Sequence, residues 1–369
     1  MNGESHYTRF SIQNFKQFEK LEITNLGQIN LIVGDNNVGK TSVLEALLVE
    51  TEPMVSIKRL HRTLCFRNIH LHARQQQSGT VVLPSQNYFD FLLNDFKSPL
   101  VFDFRTANNK WEKVSLETTT IQRLLEDPSK RAIAIKQFPG FSPQTVIVEG
   151  SVFSNEGITG GFGTLYYDDF AQLHNFRIPF IPASAMYDSS ALIKGYQAAL
   201  AGSRAVRQKF IQDLRMVLPG VQEVLPRKIG ETEHLAVVLE GSDDSHPFTR
   251  FGDGTVKCAR IFMEMAQCSD GRLMIDEVDA GIHHSRLDGF WKATVQSAIS
   301  NNVQLFAVTH NAECLASLKR IFESEDLKGA QNMVRCIALS QLPDKKTIKA
   351  YTYPWDEFQA AINQDNELR

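Results

Sequence analysis

Apolar and polar positions alternate at the start of the chain. Phe10, Ile12 and Phe15 form one set, Leu21, Ile23 and Leu26 a second, and Ile29 to Val33 is apolar almost throughout. Alternation predicts strands with one face buried, and the continuous run predicts a central strand covered on both faces. A turn rich in Gly and Asn follows, then a helical pattern with Val43, Leu44, Leu47 and Leu48 on one side. Residues 56–76 read as a basic helix carrying Lys58, Arg59, Arg62, Arg67 and Arg74. From about 80 to 182 short β-like runs recur, among them Leu100–Phe104 and Val146–Val148, and the Gly-rich stretch 154–163 reads as a loop. Residues 189–217 predict helix, with Leu192, Val206, Phe210, Ile211, Leu214 and Val217 at its apolar positions. Strands resume after Pro219-Gly220, and helices and strands then alternate to the end. Two α/β pieces bracketing an irregular middle imply one interrupted α/β unit rather than two independent domains.

Three strand ends carry chemistry. Gly34-Asp35-Asn36-Asn37-Val38-Gly39-Lys40-Thr41-Ser42 has the spacing of a P-loop, with a strand before it and a helix after it. Its glycines let the backbone curl so that successive N–H groups, those of Asn36, Asn37, Val38 and Gly39 among them, face phosphate oxygens. Lys40 adds a full charge, and Thr41 offers a hydroxyl to Mg²⁺. Leu273-Met274-Ile275-Asp276-Glu277 is an apolar run ending in two acids. At the carboxyl edge of a parallel sheet, Asp276 would hold the metal and Glu277 would polarise the attacking water. Leu305–Val308 ends in Thr309-His310-Asn311, which sets His310 as a γ-phosphate sensor, or as a satisfied structural histidine.

Together these segments, with the opening Phe10-Ser11-Ile12-Gln13-Asn14-Phe15-Lys16 and the run Ile275–His283, resemble the ABC-type ATPase superfamily of RecF and the SMC proteins. Within it they are most similar to the overcoming-lysogenization-defect (OLD) family. The resemblance implies an α/β ABC-type ATPase head: a P-loop sheet plus an antiparallel β subdomain, with a helical insertion. The expected divisions are 1–182, 183–228 for the insertion, and 229–369. It also implies that Phe251–Lys257, with Gly252 and Gly254, is the signature segment that reaches nucleotide bound by a partner protomer. Asp279 corresponds to the loop that communicates across the dimer, or else caps a helix. The function implied is an ATP- and Mg²⁺-dependent ATPase that assembles as a homodimer or larger homo-oligomer. It would regulate a separately encoded nuclease or toxin, as in anti-phage systems such as PARIS and Septu. The alternative is a RecF-like clamp on DNA, with the basic stretch 58–74 as its contact.

Composition narrows the picture little further. Lys and Arg total 39 against 42 for Asp and Glu, so no global charge draws the chain to nucleic acid. No apolar run approaches the length of a membrane span and no basic-then-apolar leader opens the chain, so the expected place is the cytoplasm. Five scattered cysteines without a CxxC pair read as small core residues. Guanine specificity would need an Asn-Lys-x-Asp signature, which the sequence lacks, so ATP is favoured over GTP. Only 59 residues follow His310, too few for the Toprim nuclease that larger relatives carry there.

Overall fold

A computed structural model describes residues 6–66, 74–75, 81–82, 92, 94, 98–137, 146–155, 157–163, 177–183, 189–344 and 346–364. Its strands, in chain order, are β1 (Tyr7–Phe15), β2 (Phe18–Thr24), β3 (Ile29–Gly34), β4 (Arg74–Gln75), β5 (Val81–Val82), β6 (Leu100–Thr106), β7 (Trp111–Thr120), β8 (Val146–Ser154), β9 (Gly157–Gly163), β10 (Phe180–Ile181), β11 (Val221–Ile229), β12 (Thr232–Leu239), β13 (Ser245–Pro247), β14 (Arg272–Ile275), β15 (Gln304–Val308), β16 (Val334–Gln341) and β17 (Ile348–Pro354).

The apolar run at 29–33 lies in the middle of a six-stranded sheet of order β10-β14-β15-β3-β16-β17. Its neighbours β15 and β16 run parallel to it, as β14 does to β15 and β10 to β14, and β17 pairs antiparallel at the edge. Both faces of β3 are covered, as a continuous apolar run requires. Ile29, Leu31 and Val33 point into one core with Leu305, Ala307 and Ala338, under the helices Asp253–Gln267, Leu287–Ser300 and Ala312–Glu323. Ile32 points the other way, with Phe306, Val308, Ile337 and Leu339, into a second core that includes Val43, Leu44 and Leu47. Asn30, fully buried in the same strand, is satisfied by Gly27 and by the Leu305 carbonyl.

The second core is closed by an antiparallel sheet of order β2-β1-β6-β7-β8-β9. Phe10, Ile12 and Phe15 of β1 and Phe102 and Phe104 of β6 supply its apolar face. A third, three-stranded sheet (β11-β12-β13) follows the helices Ser189–Ala199 and Arg204–Arg215.

Three expectations change. The Gly-rich stretch 154–163 is no loop: β9 pairs antiparallel with β8, because ladder bonds need only backbone, and Gly157 turns the chain at φ +128°. The basic helix is Pro53–Phe66 and stops short of 76, since Arg74–Gln75 is a strand paired with β5; Arg67 lies outside the described residues. The predicted helix 189–217 is two helices, broken at Leu200–Gly202. Ser203 caps the second by accepting from the Val206 N–H. The four cysteines whose side chains are described (Cys258, Cys268, Cys314 and Cys336) are free and buried, as core residues should be. Among the described residues no helix is long and apolar enough to cross a membrane.

Candidate functional site

Because β14, β15 and β3 are parallel neighbours, their carboxyl ends open on one edge of the sheet. That edge gathers the loop 34–42 after β3, Asp276 and Glu277 after β14, and Thr309, His310 and Asn311 after β15. Open parallel sheets bind ligands at such an edge.

The loop after β3 has the shape its glycines permit. Gly34 has φ +135°, and a Cβ there would lie 2.3 Å from the Leu339 carbonyl oxygen. Gly39 has φ +100°, and a Cβ there would lie 1.9 Å from Gln17 Nε2 and 2.6 Å from the Phe18 ring. Asn37 is also left-handed, at φ +63°. Asn36 and Asn37 are exposed, while Val38 is buried under the loop. The Lys40 ammonium is folded across the loop and donates to the carbonyls of Gly34 (2.7 Å) and Asp35 (2.5 Å). Burial pushes its pKa below the usual lysine value, and the charges of Asp35, Asp276 and Glu277 oppose that.

Thr41 donates its hydroxyl to the Asp276 carboxylate, at 3.0 and 3.2 Å. Asp276 is buried, and desolvation raises its pKa, partly relieved by the Thr41 hydrogen bond. A hydroxyl and a carboxylate so paired are hard oxygen donors, the kind Mg²⁺ takes alongside phosphate oxygens and water, so these residues fit that ion. Among the described residues no group of three or more His, Cys, Asp and Glu makes an all-protein metal cage. Glu277, next along, is exposed and sits at φ +42°, a left-handed conformation uncommon outside glycine. His310 is exposed at the end of β15. Beside it, Thr309 is fully buried and donates to the Asp279 carboxylate at 2.6 Å. Asp279 therefore caps no helix here; it ties the loop after β14 to the loop after β15.

Gly252 and Gly254 lie elsewhere, at the start of the helix Asp253–Gln267. Gly252 is exposed, at φ +84° with open space around it. Gly254 is buried, and a Cβ there would lie 2.0 Å from the Gly281 carbonyl oxygen. Its smallness is thus used within the chain, letting the helix touch the loop after β14. Both glycines line a cavity of about 200 Å³ with Phe251, Ile282, His283 and Arg286. One turn along the helix, buried Lys257 donates to the backbone carbonyls of Asp276 (3.2 Å) and Glu277.

Three neighbours had no role assigned from the sequence. Gln17 accepts from the Ser42 hydroxyl at 3.2 Å, and Lys16 forms an ion pair with Glu45. Glu45 was findable, because it stands four residues after Thr41 and so on the same helix face; the turn at 16–17 has no local signal that it folds onto the P-loop. In the basic helix, Arg59 donates to Glu50 (2.6 Å) and to the Leu48 carbonyl, so part of its charge is spent inside the chain.

Comparison with known proteins finds partial likenesses. Residues 8–120 match the AAA ATPase domain. The match supports an ATPase of the AAA type. Over 342 residues the chain is 20% identical to an ATP/GTP phosphatase of Helicobacter pylori, covering 85% of this chain and 88% of that one. Over 58 residues it is 38% identical to the DNA replication and repair protein RecF of Oceanobacillus iheyensis, 16% of this chain and 14% of that one. Among solved structures, an SMC head bound to the C-terminal winged-helix domain of ScpA aligns over 95% of this chain and 98% of its own, at 11% identity and a TM-score of 0.48. The architecture is α/β, as the motifs led one to expect: a mainly parallel sheet that carries the loop 34–42, faced by an antiparallel β sheet.

Proposed function

We propose that this ATPase-family chain binds ATP with Mg²⁺ and hydrolyses it, and that it assembles with nucleotide held between protomers. We further propose that it thereby regulates a separately encoded nuclease or toxin in bacterial anti-phage defence. The observation that carries the nucleotide part is the Thr41–Asp276 pair, set beside a buried lysine inside a glycine-shaped loop. Similarity to an ATP/GTP phosphatase over most of both chains supports hydrolysis rather than binding alone.

In this reading the amides of Gly34, Asn36, Asn37, Val38 and Gly39 surround phosphate oxygens. Lys40 leaves its two carbonyls for the β- and γ-phosphates, and Ser42 stays tied to Gln17. Thr41 and Asp276 would hold Mg²⁺, which supplies positive charge to the phosphate oxygens. Glu277 orients the attacking water and accepts its proton. His310 donates a hydrogen bond to charge developing on the γ-phosphate. Exposed Gly252, at the start of a 15-residue helix, presents backbone N–H groups to nucleotide bound by the partner. The effector and the role in defence rest on the family resemblance.

The test is ATP hydrolysis by the purified chain, abolished in Lys40→Ala and by EDTA. Equal turnover in Lys40→Ala would remove the P-loop assignment. Phage plating on cells with and without the gene tests the defence role; plating unchanged across a phage panel would remove that part.

A further inference from the structure

Glu45 is a buried carboxylate for which the reaction has no use. It stands one helical turn below Thr41 on the same face, and only 1% of its surface is exposed. It therefore lies behind the Thr41–Asp276 pair, close enough that its charge raises the Asp276 pKa. With Asp276 and Glu277 it makes a third carboxylate at a place meant to receive a polyphosphate anion.

Each positive group around this point has a partner. Lys40 lies across the phosphate loop, and Lys257 holds the carbonyls of Asp276 and Glu277. Lys16 holds Glu45, with its own side chain only 9% exposed and that of Glu45 2%. Lys16 is delivered by the tight β1–β2 turn, where Asn14 and Lys16 both take left-handed backbone at φ +57° and φ +50°. The turn is fixed from two directions. The Lys16 N–H donates to the Leu92 carbonyl and Asn94 donates to the Lys16 carbonyl, while the Asn14 amide donates to the Ser98 carbonyl. On the other side, Gln17 rests on Gly39 and accepts from Ser42.

We propose that Lys16 is a positioning residue of the nucleotide site, whose ammonium neutralises Glu45 and so keeps a third negative charge from opposing the phosphates. Its role is carried through Glu45 and not through contact with nucleotide. The inference rests on the reading of the P-loop as an ATP site. A buried carboxylate stripped of its cation repels an incoming anion far more strongly than a solvated one, because low polarity around it screens little.

The experiment is fluorescent-ATP binding with Mg²⁺ at pH 8.5. Thermal melting of each variant is followed alongside. Lys16→Met should weaken binding about tenfold or more, and Lys16→Arg should stay near the wild type. Glu45→Gln added to Lys16→Met should restore affinity to within about threefold of the wild type. Glu45→Gln alone, which removes charge without adding bulk, should bind as well as the wild type or better, which keeps the inference testable if Lys16→Met does not fold. A double variant as weak as Lys16→Met means that Lys16 touches the nucleotide itself, and overturns the inference. So does wild-type affinity in a folded Lys16→Met with a lowered melting temperature, which would make the pair purely architectural. A wild type that binds no better than Lys40→Ala removes the P-loop reading, and this inference with it.

Discussion

Burial pushes the Asp276 carboxyl above its ordinary value, the Glu277 and Glu45 charges push it further, and the Thr41 hydrogen bond and the Lys257 charge oppose them. The folded protein therefore holds this proton more tightly than the unfolded chain does. Asp276 accordingly lowers stability as pH rises from the usual carboxylate range through its raised folded value, and the loss is complete above that value. Asp276→Asn should melt higher near pH 7, by about 2 °C, yet lose ATP turnover; a lower melting temperature would contradict this account. At Glu277 the same logic separates binding from chemistry. Glu277→Gln keeps size and backbone, so nucleotide affinity should stay while hydrolysis falls about 10²-fold, read by single-turnover kinetics. These residues were legible because a strand ending in paired acids is a local pattern. Lys257 was legible only as a position, since its two carbonyl partners lie 19 and 20 residues on and no periodicity announces them.

Among elements, the helix Asp253–Gln267 shows what pattern reading misses. Two glycines flanking the first residue of a helix suggest backbone left open for a ligand, and exposed Gly252 keeps that possibility. Gly254 does not, because its missing side chain admits the Gly281 carbonyl. Gly254→Ala should therefore destabilise the fold by about 4 kcal/mol or more, since backbone must move in addition to the side chain being overpacked, whereas Gly252→Ala meets open space and adds only backbone strain of about 1–3 kcal/mol at φ +84°, ψ +159°. Urea unfolding of both variants checks the order, and equal losses would refute it. A large residue at 254 is accordingly a poor probe of assembly, since it would damage the protomer first. The helix at 189–217 failed as one element for a simpler reason: Ala201-Gly202-Ser203 reads as tolerable helix interior, and only the cap made by Ser203 reveals a new start. The strand β9 was missed because glycines carry no alternation to read.

For the whole molecule, the α/β class with an interrupted sheet could be read from the order of motifs, while the partners of β3 could not. If nucleotide joins protomers, uncleaved ATP should hold them together, and a two-fold arrangement would use the same surface twice. Glu277→Gln should then gain mass by light scattering when ATP and Mg²⁺ are added, and Gly252→Glu in the same chain should reverse the gain by setting a negative side chain at the helix start. No change in mass with ATP would count against the sandwich. The strand order also bears on how the chain comes off the ribosome. β3 is made early, but both of its neighbours lie beyond residue 300: Ile29 to Ile32 pair with Leu305 to Val308 on one side and with Val334 to Ile337 on the other. The strand that leads into the phosphate loop must stay unpaired until nearly the whole polypeptide has been synthesised. Such distant pairing slows folding and leaves an apolar strand exposed meanwhile. A fragment ending at residue 182 should therefore aggregate when expressed alone and become soluble when residues 183–369 are supplied as a second chain.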